Sequence, residues 1–221
     1  MTGCRLWCHT VSGMEKDRAA FVSAVLLGAG KSERMGRPKL LLPFDGDTIL
    51  GRTVDNLLGS RVDEVILVLG AGASEKQKAI AGRPLRVVVN RDYRRGMSTS
   101  LITGLKLVDA RAQRVMVALS DQPLVDSETY SRLAEASLGS DKGIVLPVYR
   151  GARGNPIVFS MGYREELLGL SGDIGGREVV ARHPDDVLEV AVNSEGVIIN
   201  INTMADYYSR LPGEAKLGGN V

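Results

Sequence analysis

The chain has 221 residues and 44% hydrophobic content, enough for one well-buried core and a small subdomain. Lys and Arg number 28 against 26 Asp and Glu, so the overall charge points to neither nucleic acid nor a membrane surface as partner. No apolar run approaches the length of a membrane span. The two cysteines, Cys4 and Cys8, both precede the first strand-like stretch, which excludes a disulfide framework and makes the cytoplasm the expected setting.

Residues 1–20 read as an N-terminal extension expected to be disordered, residues 21–211 as the folded domain, and residues 212–221 as a polar tail. Cys4, Cys8 and His9 cluster on that extension, where they do not make a metal site. Phe21 to Leu27 is almost entirely apolar, a buried strand. It opens into a loop with glycines at Gly28, Gly30 and Gly36 and cations at Lys31, Arg34, Arg37 and Lys39. Glycine lets backbone approach a ligand and turn its N–H groups toward it, and cations beside such a nest favour phosphate. A triphosphate cradle fits this stretch. It is not a P-loop, although Gly28-Ala-Gly-Lys31-Ser32 imitates the end of one. Val25 stands where that pattern needs its first glycine, and Met35-Gly-Arg-Pro38 interrupts the helix it requires.

The pattern then alternates. Thr48 to Leu58 carries a helical apolar stripe, capped by Asp47 or Thr48. Val65 to Leu69 is a buried strand, Ala73 to Ala81 a short helix, and Leu85 to Val89 a third strand. A helix is expected from about Ser98 to Ala110, a fourth strand at Val115 to Leu119, a helix at Ser127 to Leu138 and a strand at Gly143 to Pro147. Gly151 to Phe159 reads as a turn feeding an exposed or edge strand, and Val187 to Val192 with Val197 to Ile201 as a β pair. Ser171 to Arg177 is a second glycine-rich loop ahead of a helix to about Arg182, and a terminal helix runs near Met204 to Leu211. Strands alternating with helices of this length argue a parallel sheet covered on both faces, with ligands outside the carboxyl ends of the strands. Gly28 to Lys39, Asn90 to Ser100 and Asp121 all fall at those ends.

Asp121 follows a buried strand and precedes Gln122-Pro123, so it is placed either to hold Mg²⁺ on nucleotide phosphates or to cap the next helix or support a turn. Asn200 and Asn202 offer oxygens to a metal shell, or Asn202 caps the terminal helix. Ser98 and Ser100 are candidates for a ribose or base, with a helix cap as the alternative for Ser98. Asp173 is either a substrate contact or a turn aspartate. Arg34 and Lys39, on the glycine loop itself, are the leading candidates for phosphate.

These residues resemble a family. Leu27-Gly-Ala-Gly30-Lys-Ser32-Glu-Arg34-Met35-Gly36-Arg-Pro38-Lys39-Leu-Leu-Leu-Pro43 is similar to the signature of molybdopterin-type nucleotidyltransferases. Asn90-x-Asp-Tyr-x-x-Gly96-Met97-x-x-Ser100, Asp121-Gln122-Pro123, Gly154-Asn155-Pro156, Ser171-Gly-Asp173-Ile-Gly and Asn200-Ile-Asn202-Thr203 follow in order. The resemblance spans about Val22 to Tyr208 and is nearest the molybdenum cofactor cytidylyltransferases.

The resemblance implies a Rossmann-like nucleotidyltransferase fold: three α/β/α layers, a mostly parallel sheet and a small β extension. It implies a Mg²⁺-dependent transfer from CTP to the terminal phosphate of molybdopterin, with a molybdoenzyme as the eventual recipient. Gly28, Ala29, Gly30, Ser32, Arg34, Gly36, Lys39, Asn90, Ser98 and Ser100 would then meet the nucleotide. Arg34, Lys39 and Asp121 would carry the chemistry, with Asp121 and Asn202 at the metal. Gly154, Asn155, Pro156, Gly172 and Asp173 would face the pterin substrate.

Two positions depart from the pattern. The cytidylyltransferases usually have aspartate where Asn202 stands, while Asn-x-Asn-Thr is common in the guanylyltransferases. Asn155 stands where histidine is usual. A GTP-using enzyme, a nucleotidyltransferase for another small phosphorylated metabolite, and a non-catalytic pterin carrier are the alternatives. The longer first motif favours CTP.

Overall fold

The computed structural model describes residues 20–31 and 35–211. The expected extension, apart from Ala20, and the expected tail lie outside the described residues. The first strand, β1 (Phe21–Gly28), is buried along most of its length. A small hairpin of β2 (Pro43–Phe44) and β3 (Asp47–Thr48) leads into helix α1 (Ile49–Leu58). Thr48 caps that helix, its side chain accepting from the Gly51 N–H, as its position ahead of the apolar stripe predicts. Then follow β4 (Glu64–Leu69), α2 (Ala73–Ala79), β5 (Arg86–Val89), α3 (Met97–Leu105) and β6 (Ala112–Leu119). The second half holds α4 (Ser127–Leu138), β7 (Ile144–Tyr149), β8 (Ala152–Arg153), β9 (Ile157–Ser160), α5 (Arg164–Leu168), α6 (Arg177–Arg182), β10 (Val187–Ala191) and α7 (Met204–Arg210).

Among the described residues, eight strands make one sheet in the order β10-β7-β9-β6-β1-β4-β5, with β8 on β7. The pairs β1–β4, β1–β6, β4–β5 and β7–β10 are parallel. Only β8 and β9 run antiparallel to their partners. Side chains alternate between the two faces of β1. Val22, Ala24 and Leu26 join one core with α1, α4 and α7, while Val25 joins a second with α3, α5 and α6. The chain therefore stacks as the three layers expected.

Three expectations change. Ile157 to Ser160 is no edge strand: it inserts between β6 and β7, and Phe159 is completely buried. Val197 to Ile201 is not a strand, because Glu195–Ile198 winds into a 3₁₀ turn, while β10 pairs with β7 instead. Gly196 explains the turn: a Cβ there would overlap the Leu124 backbone. Helix α3 also stops at Leu105, short of the expected Ala110.

The placement of β9 makes a clear prediction. Phe159→Ala removes an aromatic ring from the second core and should destabilise the fold by about 3–5 kcal/mol. An edge strand would lose much less. Urea unfolding of the two proteins, compared at equal m-value, measures the difference.

Candidate active site

The sheet order reverses between β1 and β6: the chain runs outward from β1 through β4 to β5, then returns to the other side of β1. In open α/β sheets, ligands bind outside the carboxyl ends of the strands at such a reversal. Here Leu27 pairs with Leu119, so Gly28 and Asp121 emerge side by side. A cleft of about 750 Å³ opens over this point. Its walls are the glycine loop from Gly28 to Lys31, Lys39, the 93–97 segment, Asp121, and Asn200 and Asn202 just ahead of α7.

Lys39 sits on a short 3₁₀ turn, Lys39–Leu41, pinned by the buried Leu40. Its Nζ donates to Asp121 Oδ2 at 2.6 Å and to Asn202 Oδ1 at 3.0 Å. Asn200 Nδ2 donates to the other carboxylate oxygen, Asp121 Oδ1, at 3.1 Å. Behind it, the buried Gln122 donates from Nε2 to Asn200 Oδ1 at 3.3 Å and to the Val197 carbonyl at 3.2 Å. The backbone is tied at the same place: Ser120 donates from N and Oγ to the Leu27 carbonyl, and Ile201 N–H donates to Asp121 O.

Neither Asp121 nor Asn202 is a helix cap. Helix α4 is capped by Asp126, not Asp121. Thr203 caps α7 in a reciprocal capping box with Asp206, which leaves the Asn202 side chain to point at Lys39.

The 90–100 loop and the 171–173 loop lock together at one side of the cleft. Asn90 accepts from Asp92 N–H and donates to Thr99 and Ser100, so its side chain shapes the loop. Ser98 donates from both N and Oγ to the Gly172 carbonyl rather than capping its helix. Asp173 instead serves the helix start, accepting from Met97 N–H at 3.2 Å. Gly96 permits this contact: it has φ +114, and a Cβ would overlap the Gly172 carbonyl.

Of the predicted residues, Gly28, Ala29, Gly30, Lys39, Ser100, Asp121, Asp173 and Asn202 line the cleft. Asn90, Ser98 and Gly172 line a smaller adjoining cavity of about 310 Å³. Gly36 turns with φ +62 outside both linings. Gly154, Asn155 and Pro156 also lie outside both. Their turn packs against the 195–198 segment, with Asn155 N–H donating to Val197 O and a cis Asn155–Pro156 bond. Ser32 and Arg34 lie outside the described residues.

Sequence reasoning passed over Arg94 and Arg95, which line the cleft. With Lys31 and Lys39 they outnumber its carboxylates, Asp121 and Asp173, and make it receptive to anions. It also passed over Lys76, whose buried Nζ reaches the glycine loop from α2.

The donor set suits a hard divalent cation. Asp121 Oδ2 and Asn202 Oδ1 converge on one cation already, the Lys39 ammonium, and carboxylate and amide oxygens are what Mg²⁺ or Mn²⁺ takes. Among the described residues no group of three or more His, Cys, Asp or Glu stands together. A cation here would complete its shell with phosphates and water, the usual habit of Mg²⁺.

A three-layer α/β domain with an anion-receptive cleft at its switch point, a lysine–carboxylate pair and a glycine loop has the form of a nucleotide-handling transferase. The chain belongs to the family described as the MobA-like NTP transferase domain, which matches residues 24–187, and is a nucleotidyltransferase of that family. Nicotine blue oxidoreductase of Paenarthrobacter nicotinovorans is 33% identical over 86% of this chain and 96% of its own length. The molybdenum cofactor cytidylyltransferase of Escherichia coli K12 is 25% identical over 84% and 93%. A probable molybdenum cofactor guanylyltransferase of Mycobacterium ulcerans is 26% identical over 89% and 96%. Among solved structures, Rv0371c of Mycobacterium tuberculosis H37Rv superposes with a TM-score of 0.77 at 37% identity, covering 86% of this chain and 96% of that one. A manganese complex of the same protein gives 0.75 at 34%, covering 87% and 98%. Among the described residues no helix is long and apolar enough to cross a membrane.

The loop contact is testable. Gly96→Ala should cost on the order of 1–3 kcal/mol through overlap and a disfavoured φ. Hydrogen exchange should quicken at Met97 and Ser98, whose N–H groups the 171–173 loop holds. Unchanged protection there would refute the lock.

Proposed function

We propose that the chain transfers a cytidylyl group from CTP to the terminal phosphate of molybdopterin carrying molybdenum, releasing pyrophosphate. The observation that carries this reading is the meeting of Lys39, Asp121 and Asn202 beside the glycine loop at the switch point. The choice of CTP rests on Gly-Ala-Gly-Lys-Ser and Pro-Lys-Leu-Leu-Leu-Pro, because the cytidylyl and guanylyl relatives are almost equally similar.

An oxygen of the acceptor phosphate attacks the α-phosphorus, and the bond to the pyrophosphate oxygen breaks on the opposite side. Such in-line displacement depends on positioning and charge neutralisation rather than on a protein nucleophile. The loop from Gly28 through Ser32 and Arg34 to Gly36 holds the triphosphate, with Ala29 and Gly30 turning their N–H groups to it. Lys39 stabilises charge growing at the α-phosphate. Asp121 and Asn202 would hold Mg²⁺, which would supply neutralisation of phosphate charge. Ser100 meets the nucleoside, and Asn90 and Ser98 hold the loop that presents it. Asp173, with Gly172 setting its loop, faces the pterin side. Gly154, Asn155 and Pro156 act at one remove, backing the segment that carries Asn200. A molybdoenzyme receives the product.

The test is pyrophosphate release from CTP, GTP, ATP and UTP, each supplied separately with Mg²⁺ and molybdate-loaded molybdopterin. Release with CTP alone is expected, and Lys39→Ala and Asp121→Ala should each lower kcat by about 10²–10³. Release with GTP alone would transfer the protein to guanylyl transfer. Release only when another phosphorylated metabolite replaces the pterin would change the acceptor. Tight pterin binding with no release from any nucleotide would leave a carrier. One observation favours a further reading: a relative of 33% identity is named an oxidoreductase. Bleaching of nicotine blue by a nicotinamide reductant, without pyrophosphate release, would establish that instead.

A further inference from the structure

Lys76 is among the most deeply buried polar residues of the fold, with 2% of its surface exposed. It lies on α2, a short helix otherwise rich in exposed polar side chains; Lys78, two residues on and so across the helix, is exposed. Its Nζ donates to Gly28 O at 2.9 Å and to Gly30 O at 3.3 Å. Those are the carbonyls of the loop that walls the cleft, yet Lys76 itself does not line the cleft. The ammonium therefore touches the glycine loop from outside the cleft lining.

Burying a lysine is costly, and a buried apolar residue would fill the same volume without that cost. Desolvation, with help from the nearby Lys39 charge, pulls the Lys76 ammonium down to about 8. Two carbonyls from a glycine loop are a modest compensation. A polyanion on the far face of that loop would supply the missing one, because Coulomb attraction acts across a single layer of backbone and is little screened in a buried setting.

The geometry also sets direction. A peptide unit whose C=O is drawn toward Nζ points its N–H the opposite way, because the two groups are antiparallel across a trans peptide. Holding Gly28 O and Gly30 O from behind turns the N–H groups of Ala29 and Lys31 away from Lys76.

We propose that Lys76 is a positioning residue for phosphate binding. It clamps the Gly28 and Gly30 carbonyls, turns the loop's N–H groups into the cleft, and sets a buried positive charge behind them. It touches no substrate. The inference rests on the reading of the loop as a triphosphate site, and its test separates the two.

Binding of inorganic tripolyphosphate to the full chain is measured by calorimetry for the wild type, Lys76→Met and Lys76→Arg, well below the thermal midpoint of each. The wild type should bind. Lys76→Met should lose tenfold or more in affinity, and Lys76→Arg, which keeps charge and donors, should recover to within a few-fold. In steady state the methionine variant should raise KM for the nucleotide with kcat changed less than threefold, which a general loss of structure would not do. Should Lys76→Met fail to fold, Lys76→Gln, which keeps donors and drops the charge, carries the same comparison. Equal tripolyphosphate affinity in the wild type and the uncharged variant would overturn the role of Lys76 while leaving the loop reading intact. A wild type that binds neither tripolyphosphate nor any nucleoside triphosphate would overturn both.

Discussion

The parallel pairing of β1 with β6 is the constraint on which the site depends. It places Leu27 opposite Leu119, so a glycine loop and a carboxylate 93 positions apart in sequence leave the sheet at the same edge. Nothing local in either segment secures that meeting. It follows from the reversal of strand order, which leaves a gap above the sheet where the two exits diverge. Ser120 closes the base of the gap with two hydrogen bonds to the Leu27 carbonyl, and the chain's return through Ile201 ties the Asp121 carbonyl. Side chains at the site inherit the rigidity of a buried sheet, as in-line chemistry requires.

The parts of the fold that are legible in the sequence are those whose pattern is complete within a few residues. Val65 to Leu69 and Val115 to Leu119 are continuous apolar runs because both their faces are covered, and the Thr48 cap sits directly before its stripe. Ile157 to Ser160 fails that local test. Glycine and proline flank it like the bounds of an edge strand, and its burial comes from β6 and β7, which lie far off in the chain. Val197 to Ile201 fails in the other direction. Its residues favour a strand, but Gly196 tucks against Leu124 and no neighbouring strand is offered, so a 3₁₀ turn results. At the site, Lys39, Asp121 and Asn202 could be found because each lies at a strand exit or on a recognisable motif. Lys76 could not. Ala-Ser-Glu-Lys-Gln-Lys-Ala reads as a solvated helix, and only the passage of α2 beside the glycine loop distinguishes Lys76 from Lys78.

The polar network around Asp121 has a consistent logic. Both carboxylate oxygens are engaged, one by an ammonium and one by an amide, and the second amide layer, Gln122, is buried and hydrogen-bonded in turn. Buried polar groups are tolerated when matched in this way, and matched networks hold their members in one geometry. Asn202 fits that network as a neutral acceptor for Lys39. A second carboxylate at this point would add a cation ligand and also a stronger hold on Lys39. With asparagine, the site carries a weaker negative charge of its own, and a divalent cation would depend more on the phosphates that arrive with it.

That dependence connects the two lysines. Lys39 faces the cleft, Lys76 supports its floor, and their charges are close enough to disfavour each other. Arg94, Arg95 and Lys31 add to the same side of the balance. Cations outnumber carboxylates along the cleft even with Lys39 paired to Asp121, so the lining carries an excess of positive charge. A polyphosphate relieves the repulsion, whereas a neutral ligand of equal size does not. A preference for an anion would thus follow from the sum of the charges along the lining rather than from any single contact, and the fold's stability, drawn from its two apolar cores, is what keeps those charges together.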